Sequence, residues 1–565
     1  MLHMTTPSRT PHDGSEASDS CCSHYTKALL SAPERIAQRQ RESHRMFSRA
    51  YSLAVLICQY CIFVSCHIQF QEPLHDQPQA IHFEAATINI PIDHFNAADN
   101  RTYANRFWTN HTFYRRGGPV FFYDAGERGV SDGNLQSLSE EAHPLTVLTR
   151  AFNGLAVVWE HRFYGGSFPF ALQVNSTNAE KKAAYSFLDT EQALEDAVFF
   201  ASHFDSIRLE SVGTDLKPNA TPWIWIGGSY PGQRAAMIRN RNPDVFFASY
   251  SSSASVEIRT SLPEYYLHIS HDLPVECGEI VRKAVRYADG VLIDGNWLAK
   301  SRLRWAIARR WPASKTTRME RLRYTLAAPD FLVADHFVAL VAADWQWRGM
   351  ESSGRMSATC ASISSANFDS ATQSRTAIET ILDAIEANNR HLAGNSGGSG
   401  MSHLDNQAWQ YQVCTEYFHF RATAPQDPYN ILSAVLTEDN IWADTCARQY
   451  PWLDPPTNQD IRAPSLYVGW DKNVSNTMFI TGKRDPWHEV SIVPSNGLIP
   501  DAPRDRIMTD KVPRCNELMT GREVFGLVLP KGRHCGDLIV GSEDARAATE
   551  LFVRALEEWL PHFGH

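Results

Sequence analysis

Three residues far apart in the chain have the types and the order that acyl transfer by a serine requires. Trp223-Ile224-Trp225-Ile226 is an apolar run that passes through Gly227 and Gly228 into Ser229, and Tyr230-Pro231-Gly232 leads on into a helical pattern over Gln233–Asn240. A strand that stops at a serine and restarts as a helix throws the hydroxyl out above a sheet and aims the following N–H groups back at it. The small residues before the serine leave room for that strained turn. A strict Gly-x-Ser-x-Gly pattern would place glycine at 231, where proline stands instead. Proline is tolerated in a first helical turn because its missing N–H is not needed there. Alone, the motif also fits a glycine-rich loop closing a buried strand.

Its partners settle the choice. On this kind of sheet the acid and the base follow the serine in chain order, on loops past the carboxyl ends of later strands. Ser475–Gly482 reads as such a strand and is followed by Lys483-Arg484-Asp485-Pro486-Trp487. Val524–Pro530 reads as another and is followed by Lys531-Gly532-Arg533-His534-Cys535-Gly536-Asp537. His534 would accept the proton of Ser229, and Asp485 would hold the imidazole in the required tautomer. One oxyanion donor is expected from the N–H of Tyr230. The second is expected from Gly126 or Glu127, past the strand candidate that begins at Val120. Trp487 is either a wall for a flat apolar ring such as proline or a core residue closing the loop. Glu160 and Arg162 read as an ion pair or a loop brace.

The motifs Gly227-Gly228-Ser229-Tyr230, Asp485-Pro486-Trp487 and Gly532-x-His534-x-x-Asp537-Leu538 resemble those of the prolyl carboxypeptidase and lysosomal dipeptidyl peptidase family of serine peptidases. Gly117-Gly118-Pro119, Glu160-His161-Arg162-Phe163-Tyr164-Gly165, Thr190-Glu191-Gln192-Ala193-Leu194 and Tyr411-Gln412-x-Cys414-Thr415-Glu416 agree with it, so the likeness runs from about residue 80 to the C-terminus. Pro231 and the basic pair Lys483-Arg484 depart from the usual pattern. The resemblance implies Ser229 as nucleophile, Asp485 as acid partner and His534 as base, no cofactor, and peptides containing proline as substrates. It also implies work in acidic surroundings, which would need a His534 pKa below its ordinary value of about 6.5, because the base must be neutral.

These residues need a sheet to hold them. From Ile81 to Val256 strand-like runs alternate with helical patterns, among them Leu155–Trp159, Thr190–Phe204 and Phe246–Ser253, which predicts an α/β-hydrolase fold. Far more chain separates Ser229 from Asp485 than the strands require. The stretch between is rich in helix formers, as over Tyr324–Trp347 and Ser374–Asn389, with a flexible loop at Asn395–Gly400. The expected organisation is a first hydrolase part at 67–258, a mostly helical cap inserted at 259–450, and a second hydrolase part at 451–565 ending in a helix over Ala545–Leu560.

Composition bounds the rest. The chain has 565 residues, 43% hydrophobic, with fifteen tryptophans, enough for a large core and two domains. A net charge of −10 without a basic stripe leaves nucleic-acid binding unsupported. No phosphate-binding loop or zinc-peptidase motif occurs, so neither a metal nor a cofactor is expected. Residues 1–45 are polar and serine-rich and read as a disordered leader. Tyr51–Cys66 is an apolar run behind Arg49, read with 46–66 as a signal peptide, with an uncleaved signal anchor as the alternative and Met46 as another start of translation. Either reading places the bulk of the chain in a secreted, vacuolar or lysosomal lumenal setting. Cys277, Cys360, Cys414, Cys446, Cys515 and Cys535 lie downstream, compatible with three disulfides. Glycosylation sequons stand at Asn100, Asn110, Asn175, Asn219 and Asn473. A membrane anchor at the N-terminus and a homodimer both stay open as associations.

Three function classes compete: an exopeptidase cutting beside proline (carboxypeptidase or dipeptidyl peptidase), a prolyl endopeptidase or esterase on the same fold, and an inactive binding protein on a hydrolase scaffold. Retention of all three triad candidates favours the enzymes.

Overall fold

In the computed structural model nine strands form one twisted sheet, ordered β1-β2-β4-β3-β5-β6-β7-β9-β8. The strands are β1 (Glu84–Pro91), β2 (Thr102–Asn110), β3 (Val120–Asp124), β4 (Leu155–Trp159), β5 (Trp223–Gly228), β6 (Ala248–Ser252), β7 (Thr477–Gly482), β8 (Ile507–Thr509) and β9 (Glu523–Leu529). β2 is antiparallel to both β1 and β4, and every later pairing is parallel. The described residues run from 82 to 564, omitting 174, 205–214, 312–315, 336–344, 351–354, 366–376, 380, 384–400, 457–461, 496 and 520–521. The leader, the signal segment and the Asn395–Gly400 loop therefore lie outside them.

Parallel strands are covered on both faces and so read as unbroken apolar runs; β4 and β5, LAVVW and WIWIGG, do so. Helices α1 (Pro144–Ala151), α2 (Thr190–Ser202) and α3 (Tyr230–Arg241) follow β3, β4 and β5 along the chain. α2 and α3 pack with Phe122, Trp159 and Trp225 in one layer, while α1 and the closing helix pack with Phe121, Ile224 and Ile226 in the other. Neighbouring side chains on β3 thus point to opposite layers, the period-2 consequence of strand geometry. Strand order and crossovers are those of an α/β-hydrolase.

Between β6 and β7 the regular elements among the described residues are helices, joined by irregular stretches such as 418–437. The helices include α4 (Glu264–Asp272), α5 (Val275–Asp294), α6 (Trp297–Ala308), α7 (Arg318–Ala327), α8 (Arg355–Ser365) and α9 (His403–Gln412), after which α10 (Glu543–Trp559) closes the chain. Their own apolar core gathers Leu262, Val281, Val285, Leu303, Trp345 and Ile378. The helix expected over Tyr324–Trp347 does not run through. α7 ends at Ala327 and the helix restarts only after Pro329, because proline lacks the N–H and disfavours helix at the residue before it. The Ser374–Asn389 helix lies largely outside the described residues; 377–379 and 381–383 are helical.

Two disulfides form, Cys277–Cys360 from α5 to α8 and Cys414–Cys446 beside α9. The third expected pair does not. Cys515 and Cys535 are unpaired, one before β9 and the other past its end. A seven-residue strand holds its ends roughly 20 Å apart, far beyond the Cα separation of about 7 Å that a disulfide tolerates.

Candidate active site

The sequence from Gly228 to Tyr230 makes a turn that only packing can hold. Ser229 adopts φ 66°, ψ −126°, a region nearly closed to residues with a Cβ. Its N–H donates to Ser252 O at the end of β6 (2.9 Å), and its carbonyl starts α3 by accepting from Gln233 N–H (2.9 Å). A Cβ on Gly228 would lie 2.6 Å from Leu538 Cδ1 and 2.9 Å from Cys535 Sγ, so the elbow abuts the loop that carries His534. Pro231 has a matching neighbour. Gly126, at φ +72°, would put a Cβ 2.3 Å from the proline ring, so the loop after β3 closes directly on the elbow helix.

β7 ends at Gly482, and Asp485 caps a short turn of helix over Pro486–Val490. β9 ends at Leu529 and delivers His534. The two meet: His534 Nδ1–H donates to Asp485 Oδ2 at 2.8 Å, with His534 2% and Asp485 0% exposed. The other Asp485 oxygen accepts the Trp487 N–H at 3.0 Å. Burial disfavours the imidazolium, but the Asp485 charge and then Cys535 outweigh it and push the His534 pKa well above its ordinary value. The charge of Asp485 thus works against the lowered histidine pKa that acidic work would require.

The histidine loop is tied back to the sheet. Cys535 N–H donates to Ser253 Oγ (2.9 Å), while Tyr250 and Ser252 hydroxyls donate to Asp537 (2.9 and 2.7 Å). Burial lifts the Asp537 carboxyl to about 6. The cap grips the same loop. His534 N–H donates to Gln346 O (3.0 Å), and the Trp347 ring stands edge-on to the imidazole at 5.2 Å. Gln346 Oε1 accepts from Tyr265 O–H (2.9 Å) and from Trp487 Nε1–H (3.3 Å). Trp487 sits 6.5 Å from His534 and 5.2 Å from Tyr265, ring to ring. These contacts brace the acid loop, the structural one of the two roles that the sequence left open.

Beneath the elbow runs a directional chain of hydrogen bonds. Tyr164 O–H donates to Gln412 Oε1 (2.5 Å), and Gln412 Nε2–H donates to Tyr230 Oη (2.8 Å). His161 must give its Nδ1–H to Arg162 O (2.6 Å), since a carbonyl only accepts. Burial holds His161 neutral, well below its ordinary pKa, so its Nε2 accepts from Tyr230 O–H at 2.9 Å. The side chain of the first residue after Ser229 is thereby locked, leaving its N–H without a helical partner at the start of α3.

Not every expected residue fits its role. Gly126 N–H is spent on Asp124 Oδ1 (3.1 Å), so it is not an oxyanion donor; Asp124 Oδ2 meanwhile pairs with buried Arg234 at 2.9 Å. Glu127 follows, its carboxyl pushed up by burial and lying against its own N–H. Glu160 and Arg162 are braces, but with other partners: Glu160 binds Arg106, and Arg162 binds Asp196 through two bonds of 2.6 Å. Asn110 is 4% exposed and its Nδ2 donates to His82 O, so that sequon offers no amide to a glycan. Asn100, Asn175, Asn219 and Asn473 are exposed.

Sequence reasoning missed Gln346, Trp347 and Tyr265, which arrive from the cap with no spacing signal to mark them. The Asp124–Arg234 pair was readable in principle, as an acid ending an apolar strand and a base inside the elbow helix.

The comparisons with known proteins agree with this arrangement. Residues 90–498 match the family model described as serine carboxypeptidase S28. A "Probable extracellular serine carboxypeptidase" of Arthroderma benhamiae is 26% identical over 73% of this chain, which spans 60% of that relative's length. "Serine protease vicPa" of Bipolaris victoriae is 24% identical over 84% of this chain and 88% of its own. The human "Thymus-specific serine protease" is 26% identical over 72% of this chain and 77% of its own. With an elbow serine on β5, a buried acid–histidine pair past β7 and β9, and a family match across most of the hydrolase body, the chain belongs to the serine carboxypeptidase S28 family.

Proposed function

We propose that this chain is an exported serine exopeptidase that cleaves peptides beside proline through an acyl-enzyme. The observation that carries the reading is the buried Asp485–His534 hydrogen bond on the loops facing the strained Ser229 elbow. Ser229 Oγ attacks the scissile carbonyl carbon while its proton passes to His534 Nε2, and the new imidazolium is stabilised by Asp485. Charge on the carbonyl oxygen is met by the N–H group of Tyr230, the first after the nucleophile. Collapse breaks the C–N bond, His534 returns the proton to the leaving amine, and water repeats the sequence to release the acid.

Proline at the acyl side is supported by the apolar ring of Trp487 beside the histidine, since a shallow slot can select a residue that has no N–H and a fixed φ. Export is supported by the apolar run after Arg49, by the two disulfides and by the name of the Arthroderma relative. Among the described residues no helix is long and apolar enough to cross a membrane.

The test pairs fluorophosphonate labelling with a peptide set varied only before the scissile bond. Labelling lost in Ser229→Ala, with proline substrates cleaved best, supports the reading. No labelling would mean an inactive scaffold, and equal rates for proline and leucine would remove the pocket.

A further inference from the structure

The ring cluster that reaches His534 carries, at its far end, a positive charge that acyl transfer does not use. The helical turn Val413–Tyr417 breaks at Phe418 and His419, both at positive φ (46° and 49°), and the chain then presents Arg421. The Arg421 side chain is exposed, yet burial is the largest influence on its guanidinium. Its guanidinium carbon lies 5.1 Å from the Tyr265 ring centre, one ring from Trp487 and two from His534. Stacking on that face holds the planar fork in a fixed orientation.

Arg421 makes no ion pair among the described residues. Asp335 acts on it through space, and the Tyr265 and Tyr266 phenols are its other polar neighbours. Beside it, His419 is 8% exposed, its ring 5.5 Å from that of Trp487, and neither ring nitrogen has a partner. Burial, with the Arg259 and Arg421 charges, holds this imidazole neutral with a pKa pushed down to about 3, so one nitrogen carries an unspent N–H. Arg259 is itself occupied by Asp501 at 3.2 Å. A buried donor without an acceptor is costly until an anion meets it, and an unpaired guanidinium beside it adds a charge-assisted hydrogen bond to the same anion.

Resting on the peptidase reading above, we propose that Arg421 and His419 form a carboxylate-binding subsite on the wall behind Trp487, which takes a carboxylate of the peptide substrate. Two sources share that chemistry: the free C-terminus and an aspartate or glutamate side chain. The opposite choice, an N-terminal ammonium, is served less well. Glu127, the carboxyl whose field reaches His534, is driven toward its neutral form by burial, whereas a guanidinium keeps its charge at every working pH.

The experiment compares kcat/KM of the full chain on two matched pairs of proline peptides, one pair differing as C-terminal acid and amide, the other as internal Glu and Gln. The subsite predicts a preference of about 10–100-fold for the charged member of one pair, the size of a charge-assisted hydrogen bond. The pair that shows it names the source. Arg421→Met should bring that ratio to near one, and Arg421→Lys should restore part of it, with melting temperature and fluorophosphonate labelling reporting the fold. Ratios near one in the wild type, or a ratio untouched by Arg421→Met, would overturn the subsite. Calorimetric binding of the same peptides to Ser229→Ala keeps the two ideas separable. Carboxylate-dependent binding without turnover in the wild type would sink the peptidase reading alone, and turnover with charge-blind binding would sink the subsite alone.

Discussion

Replacing Asp485 by asparagine tests the electrostatic core of the site, and the structure says how it should fail. Asp485 has two acceptor oxygens in use, one for the Trp487 N–H at 3.0 Å and one for His534 Nδ1–H at 2.8 Å. Asparagine keeps one acceptor. If its oxygen stays with the backbone N–H that caps the turn, its NH₂ group faces Nδ1, and the imidazole must place its proton on Nε2 to offer a lone pair in return. The nitrogen meant to receive the Ser229 proton is then already protonated. Such tautomer inversion lowers kcat by about 10⁴-fold, or about 5.5 kcal/mol. A second consequence has the opposite look. In the wild type Asp485 is the foremost influence raising the His534 pKa against burial, so the acid limb of kcat/KM should lie above about 6.5. Without the carboxylate, burial dominates and the limb of the residual activity should move to lower pH. The assay is kcat/KM from pH 4 to 9 on a proline peptide, with melting temperature as the fold control. Activity within tenfold of wild type, or a limb that does not move, would refute the dyad as described.

Ser229→Ala should lower turnover by about four to six orders of magnitude in a protein that still folds, read by single-turnover kinetics; activity within tenfold would remove Ser229 from the role. Glu416 accepts from Thr190 N–H and Oγ1, and burial, then Asp189, raises its pKa to about 8. Its folded form therefore holds a proton that the unfolded chain releases first, and stability declines as pH rises from about 4.5 to 8. Glu416→Gln should accordingly melt higher than wild type at pH 9, by up to about 4 kcal/mol, and about equally at pH 4.5; the same shift at both would falsify the assignment. Cys277→Ser opens a link spanning 83 residues and should cost about 4 kcal/mol. Because the link lies in the cap, peptide turnover should fall while fluorophosphonate still labels Ser229, and unchanged melting would contradict it.

The sheet was legible where its strands are buried on both faces. β4 and β5 are unbroken apolar runs ended by small residues, so their limits could be read within a residue or two. The order serine, acid, histidine was legible for the same reason, because each sits just past such a run. What the sequence hid depends on long-range approach. Gly126 looked like an oxyanion donor until the Asp124 carboxylate reached its N–H, and Asn110 looked like a surface sequon until β2 buried it. The direction of the histidine pKa was not legible, because it is a balance between burial and the neighbouring Asp485 and Cys535, and neither is encoded locally. The cap residues at the site share no periodicity with the hydrolase motifs, and Pro329 breaks a helical pattern that otherwise looked continuous.

The hydrogen bond from His534 N–H to Gln346 O joins two things that most cleft enzymes keep separate. Residues 345–348 pack on the histidine loop, with the Trp347 ring edge-on to the imidazole. The base is thus held in register from two sides, through its ring by Asp485 and through its backbone by the cap. Any shift of residues 345–348 is felt at the proton acceptor itself, so the packing of the cap and the alignment of the triad are one property of this chain.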